Sequence, residues 1–132
     1  MYQVQMVPGS VLQVWSRQYG VYHKGVVDWP DSYGNPRVIH SPKGSVVKST
    51  SLEEFAEGQA PKVLWTPQTT WQQFAMIERM RSLIGLRHDL LSANCEHVVN
   101  WALTGEWYSQ QVAAVAAVLI VAVAIGVLSA LA

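Results

Sequence analysis

The carboxyl-terminal 21 residues, 112–132, carry no charged side chain and one polar side chain, Ser129. At 1.5 Å per residue this run makes a helix of about 32 Å, against roughly 30 Å for the hydrocarbon core of a bilayer. A core helix of this length in a soluble domain normally carries a polar stripe, and this run has none. Trp107 and Tyr108 precede it, where aromatic side chains meet lipid headgroups. The sequence therefore predicts a single membrane anchor over residues 107–132 and one folded domain over residues 1–106.

Charge and cysteine content exclude several classes of protein. The 132 residues include 9 basic and 9 acidic side chains, so the net charge of zero argues against a nucleic-acid-binding protein. A single cysteine rules out an internal disulfide and favours a reducing compartment. The amino-terminal residues show no basic region followed by an apolar core, so we expect no cleavable secretory signal. Together these features predict a membrane protein whose domain faces the cytoplasm.

The first half of the chain is rich in short β-branched segments bounded by turns. Five such segments are expected to form strands: 11–15, 18–28, 37–40, 45–48 and 62–65. A hairpin folded about Asp31 and Ser32 would pair residue 23 with residue 40, and residue 25 with residue 38. His23 and His40 would then stand side by side on one face of the sheet, with Cβ atoms about 5 Å apart.

Three helices are expected among these strands and after them. Ser51 and Glu54 have the spacing of a capping box, which opens a short helix to residue 57 that Gly58 ends. Residues 70–86 form the second predicted helix, with Phe74, Ile77 and Ile84 on or near one face. The third begins at the cysteine. The resulting fold class is α+β, a small antiparallel sheet packed on helices.

The cysteine helix places the only thiol at a helix amino terminus. Apolar residues follow Cys95 at helical spacing, so one stripe of the helix is buried; they are Val98, Val99, Ala102 and Leu103. Asn94 or Ser92 is suited to the amino-terminal cap and Gly105 to the left-handed stop. Unpaired amides at a helix start favour thiolate over thiol. The alternative is an inert, buried cysteine.

Three of these side chains make a coherent set for catalysis. A thiolate at Cys95, an imidazole base and a second group that orients the base follow the general logic of an activated cysteine nucleophile. His23 and His40 supply the two imidazoles if the cysteine helix packs on their sheet. His97 points away from Cys95 on the helix, and an i, i+2 pair does not chelate one ion, which argues against zinc. We therefore expect neither a metal nor a cofactor.

The motif Asn94-Cys95-Glu96-His97 resembles the signature of the lecithin:retinol acyltransferase-like family, a circularly permuted branch of the NlpC-type, papain-like thiol enzymes. Residues 8–14, 22–27 and 37–40 are similar to the family's first strand and its two histidine-bearing strands, in the expected order. The resemblance covers residues 7–106. It implies a permuted papain-like fold with Cys95 as nucleophile, His23 as general base and His40 as the third member of the triad.

Some positions depart from the family pattern and leave that triad intact. Lys24 follows His23 where an aromatic or small residue is usual, and His88 stands where an aromatic residue is common. Ser92 and Ala93 replace a bulkier pair, and the loop 29–36 is longer. These departures bear on substrate preference.

The resemblance implies a lipid substrate, since many members take an acyl chain from a phospholipid and pass it to water, an amine or an alcohol. The predicted anchor fits an acyl donor that resides in the bilayer. The expected function is therefore a membrane-anchored thiol acyltransferase or phospholipase, with an acceptor that the sequence leaves open. Two alternatives remain: an NlpC-type cysteine peptidase or amidase, and a catalytically silent interaction module of the same fold.

Overall fold

The computed structural model describes residues 6–88 and 95–104, with the backbone alone at residues 95 and 96. These residues form five strands and three helices, which confirms the predicted α+β class with a small antiparallel sheet. The strands are β1 Val11–Ser16, β2 Val21–Val27, β3 Arg37–His40, β4 Lys48–Ser51 and β5 Lys62–Trp65. The helices are α1 Leu52–Ala56, α2 Thr70–Ser82 and α3 Cys95–Thr104. The strands pair antiparallel in the order β4-β3-β2-β1-β5, so β2 is the central strand.

The sheet is covered by apolar side chains on both faces, because successive residues of a strand point to opposite sides. On the face that we call the α2–α3 face, strand residues pack against the two long helices; the cluster includes Val11, Val26, Ile39, Met76, Met80, Val98, Val99 and Ala102. On the other side, the α1 face, the cluster consists of Leu12, Val14, Val27, Val38, Phe55 and Ala56. Helices on both sides bury the central strands.

The short helix α1 confirms the predicted capping box. The Ser51 side chain accepts a hydrogen bond from the Glu54 amide at 3.1 Å, which satisfies one of the unpaired donors of the first turn. Glu57 ends the helix in the left-handed conformation with φ of 51°, one residue before the predicted stop at Gly58.

Helix α2 is shorter than predicted. Thr69 caps it by accepting from the Gln72 amide at 3.1 Å, and it ends at Ser82 rather than at residue 86. The buried side chains are Met76, Ile77 and Met80. Of the three residues predicted to lie on or near one face, Ile77 is buried and Phe74 is 50% exposed, whereas Ile84, at 49%, lies beyond the end of the helix.

The fourth strand begins three residues later than predicted. Val47 is fully buried, and its amide donates to the Leu86 carbonyl at 2.8 Å rather than to a neighbouring strand. Pairing with β3 therefore starts at Lys48, which lies opposite His40. This shift brings Thr50 into the sheet.

A buried carboxylate ties the end of β2 to α2. Asp28 accepts from Arg81 through both carboxylate oxygens, at 2.9 Å and 3.1 Å. Ser49 and the Trp29 amide also donate to it, at 3.1 Å and 2.8 Å. The pair fixes how α2 lies against the sheet.

Within residues 6–88 and 95–104, no helix has the length and apolar character needed to cross a bilayer. The anchor predicted over residues 107–132, and the domain boundary before it, lie outside the described residues.

Candidate active site

His23 and His40 lie on the same face of the sheet, but in a different register from the predicted one. Gly25, not His23, is the direct partner of His40, and Val27 pairs with Val38. The predicted pairing was wrong by two residues because the connection 28–36 turns later than a tight hairpin about residues 31 and 32. A shift of two keeps every side chain on its face. The two histidines are therefore diagonal neighbours, about 7–8 Å apart with their Cβ atoms somewhat closer.

The ring of His40 is held by Thr50 from the neighbouring strand. His40 Nε2 lies 2.9 Å from the Thr50 hydroxyl oxygen, and that hydroxyl lies 3.2 Å from the Ser51 carbonyl oxygen. From the contact between the Thr50 hydroxyl and the Ser51 carbonyl we infer that the Thr50 oxygen accepts and that His40 Nε2 carries the proton. His40 Nδ1 is then an acceptor. It is buried and has no hydrogen-bond partner among the described residues.

Burial keeps His40 neutral. The side chain is 6% exposed, and its ring stands edge-on to Phe55 with centroids 5.1 Å apart. This burial, with smaller effects from His23 and Lys48, lowers the pKa of His40 to about 4. At neutral pH the residue therefore serves as a fixed hydrogen-bond acceptor.

Because Gly25 has no side chain, His40 and Phe55 can occupy the space next to its Cα atom. A Cβ atom at residue 25 would lie 2.7 Å from Val38 Cγ1, 3.0 Å from Phe55 Cε2 and 3.2 Å from His40 Cβ. Contacts this short force neighbouring atoms to move. The absence of a side chain at this point of the central strand is thus part of how the site is built.

His23 occupies the less enclosed end of the same face. It pairs with Val14 of β1, is 8% exposed and lies near the Tyr19 ring, with centroids 6.3 Å apart. Burial lowers its pKa below 6.5; Glu57 opposes this shift, and His88 and Lys43 add to it. His23 is therefore mainly neutral at pH 7, the state in which an imidazole accepts a proton.

His88 lies close enough to His23 to influence its charge, and it is the last described residue before α3. Its Nδ1 is 3.0 Å from the Ser41 carbonyl oxygen and 3.1 Å from the Ser41 hydroxyl. Cys95 follows seven residues later in the sequence. The chain thus approaches the histidine end of the sheet shortly before the cysteine helix begins.

Helix α3 begins at Cys95, as predicted, and buries most of the predicted stripe. Val98, Val99 and Ala102 are buried, whereas Leu103 is 37% exposed. His97 is also buried, at 4% exposure. The Cys95 side chain, the candidate caps Ser92 and Asn94, and Gly105 lie outside the described part of the chain.

The body of α3 packs on the face opposite the histidines. Its buried residues share a cluster with Val26 and Ile39, which alternate along their strands with Gly25 and His40. This differs from the expectation that the cysteine helix crosses the histidine face. The reason is that Phe55 of α1 already covers that face.

The structure thus brings His23 and His40 together and adds three residues that sequence reasoning missed: Thr50, Phe55 and Gly25. Thr50 was missed because β4 was placed too early. A glycine within a strand pattern is a recognised sign of close approach, and that signal was present at residue 25.

Comparison with known proteins adds no relative. No family model matches this chain, and no curated protein shows significant similarity to it.

Proposed function

We propose that this chain is a membrane-anchored thiol acyltransferase or phospholipase A-type hydrolase with Cys95 as nucleophile, His23 as base and His40 as orienting group. The observation that carries the proposal is the buried pair of neutral histidines. One of them, His40, has Nε2 at 2.9 Å from the Thr50 hydroxyl oxygen and a buried Nδ1 acceptor without a hydrogen-bond partner among the described residues. Such an acceptor is what a general base needs to hold its ring in place.

The proposed reaction passes through a thioester. His23 first takes the proton of the Cys95 thiol. The thiolate then attacks the ester carbonyl of a phospholipid; a C–S bond forms and the C–O bond to the glycerol backbone breaks. Protonated His23 gives its proton to the departing alkoxide, which leaves as a lysophospholipid. Water or another acceptor then attacks the thioester while His23 takes up its proton. The acyl product leaves and the thiol group is restored.

Placement of the enzyme follows from the predicted anchor. An anchor over residues 107–132 keeps the domain beside its acyl donor and raises the local substrate concentration. With a single free thiol to keep reduced, we place the domain on the cytoplasmic side.

The test is intact-mass analysis of the full chain after incubation with phosphatidylcholine vesicles. We expect one acyl adduct that neutral hydroxylamine removes, because thioesters are labile to this nucleophile. Cys95→Ala should give no adduct and His23→Gln very little. His88→Gln is the matched control, since it removes a nearby histidine outside the proposed triad, and it should retain the adduct. An equal adduct on the Cys95→Ala protein would overturn the proposal.

A second candidate is a catalytically silent interaction module of this fold. The observation that favours it is the position of α3, whose buried stripe packs on the sheet face opposite the histidines. Such a module should form no adduct, and Cys95 should react with iodoacetamide only near the pH of an ordinary thiol, about 8.5. Cleavage of peptides with no effect on vesicles would instead indicate an NlpC-type peptidase.

A further inference from the structure

We infer that an aromatic patch formed by Trp29, Trp65, Trp71 and Phe74 is the surface on which the domain rests on the lipid bilayer. This inference rests on the proposed membrane function and specifies which face of the domain meets the lipid. Trp71 is 80% exposed and Phe74 50%, and the half-buried Trp29 and Trp65 border them. Large apolar side chains exposed together mark interaction surfaces in soluble domains.

The four aromatic side chains are contiguous. Trp71 and Phe74 are three residues apart on α2 and so share a side of the helix. The rings of Phe74 and Trp29 contact one another, with centroids 5.0 Å apart. Trp65, at the end of β5, lines a shallow groove together with Trp71. The patch therefore extends from the loop after β2, across the first turns of α2, to the edge strand.

The chemistry of the groove fits a lipid headgroup region. Apolar and small side chains line most of it, and none of its described lining side chains is acidic; the set is Trp65, Trp71, Gln72, Ala75, Met76, Arg79, Ala102 and Leu103. Tryptophan is enriched at membrane interfaces because its ring is apolar and its N–H group is polar. Arg79 adds a cation beside the groove; its guanidinium donates to the Ala102 carbonyl at 2.9 Å and has further N–H groups that can donate to a lipid phosphate.

The position of the patch along the chain brings it close to the predicted anchor. Leu103 lines the groove, α3 ends at Thr104, and the uncharged run begins at residue 112. Eight peptide units span at most about 29 Å when fully extended. The start of the uncharged run therefore lies within about 29 Å of Thr104, next to the groove that Leu103 lines, which favours an orientation with the patch toward the membrane.

Tryptophan fluorescence of the full chain in phosphatidylcholine vesicles tests this inference. The emission of Trp71 is obtained as the difference between the parent protein and Trp71→Phe. We expect lipids brominated near the headgroup to remove most of this emission and aqueous iodide to leave it unchanged. Because Trp71 is so exposed, the substitution leaves the core intact, which far-UV circular dichroism verifies.

Trp15→Phe is the matched control. Trp15 is 41% exposed on β1. It lies four residues, about 14 Å along the strand, from Val11, the residue that pairs with Trp65. Its emission should be quenched by iodide and not by brominated lipid. Equal lipid quenching of both tryptophans would overturn the inference.

Protection of Trp71 from iodide without quenching by lipid would also overturn it. That result would mean that another part of this chain, or a second copy, covers the patch. The measurement does not depend on catalysis. A protein that forms no acyl adduct but shows lipid quenching at Trp71 would refute the proposed reaction and retain the membrane surface.

Discussion

At the scale of single residues, the direction of the Thr50 hydroxyl proton decides which ring nitrogen of His40 can accept a hydrogen bond. Thr50 donates to the Ser51 carbonyl and therefore accepts from His40, which leaves His40 Nδ1 free to accept in turn. A neighbouring base whose ring N–H bonds this nitrogen would expose its other nitrogen to a thiol. Thr50 thus acts through His40 as a positioning residue.

Replacing Thr50 by valine should remove the acceptor and disturb the His40 tautomer. Valine has nearly the same shape, but the His40 Nε2–H group loses its partner, which costs about 1–2 kcal/mol of stability. Nitrogen-15 NMR of labelled histidine should show His40 changing from a single tautomer to a mixture, and acyl transfer should fall about tenfold, as for the loss of 1.4 kcal/mol.

Thr50→Ser keeps the hydroxyl and provides the control. It should retain both the nitrogen-15 signature of His40 and most of the activity. A valine variant with an unchanged tautomer would show that Thr50 has only a packing role.

At the scale of the elements, the contact between Asp28 and Arg81 fixes α2 against the sheet. Asp28 is buried at 3% exposure, whereas the Arg81 side chain is 49% exposed. The carboxylate therefore depends on the guanidinium, while the guanidinium retains access to water. The hydrogen bonds to Asp28 raise the pKa of Arg81 further.

Arg81→Leu should destabilise the protein by about 2 kcal/mol, because it leaves a buried carboxylate without its cation. Denaturant unfolding followed by circular dichroism measures the loss. The double variant Asp28→Asn, Arg81→Leu removes the uncompensated charge and should recover part of the stability. A double variant as unstable as the sum of both single changes would indicate that the two side chains do not interact.

Among the helices and strands, features that depend on local sequence were predicted correctly, whereas the pairing of strands across a loop was not. The capping box at Ser51, the strands at residues 37–40 and 62–65, and the start of α3 at Cys95 follow from local chemistry, and the structure confirms them. The pairing of β2 with β3 depends on how the loop between them turns. Sequence parity placed both histidines on one face correctly, but their offset was wrong.

Choices between two faces of an element were less predictable. In α2, Met76 and Met80 are buried whereas Phe74 is exposed, and only tertiary packing decides between such stripes. The same holds for the sheet, since both of its faces are apolar. The histidine face is covered by Phe55 of α1. The sequence had indicated this segment only as a short capped helix.

At the scale of the whole molecule, the buried histidines make stability depend on pH. The pKa of His40 is about 4 in the folded protein and 6.5 in an ordinary setting. Between these values the unfolded chain binds a proton that the folded protein does not, so falling pH favours unfolding. His23, whose pKa is also lowered, acts in the same direction.

The free energy of unfolding should therefore be steady above pH 6.5 and should fall by about 3 kcal/mol between pH 6.5 and pH 4 from His40 alone. Denaturant titrations of the full chain in mild detergent at several pH values measure this. His40→Gln should flatten the profile, whereas His88→Gln should not. Parallel profiles for the parent and His40→Gln would show that His40 is protonated equally in both states.

The empty position at Gly25 has a consequence for how this sequence can change. The methyl group of alanine does not fit there while Val38, Phe55 and His40 keep their places. A larger residue becomes acceptable only after one of these neighbours has become smaller, so the order of the two changes determines whether the intermediate protein folds. Val38→Ala removes the shortest of these contacts, 2.7 Å to Val38 Cγ1, so Val38→Ala followed by Gly25→Ala is better tolerated than the reverse order. A residue with no functional group of its own thus limits the variation of two strands and a helix.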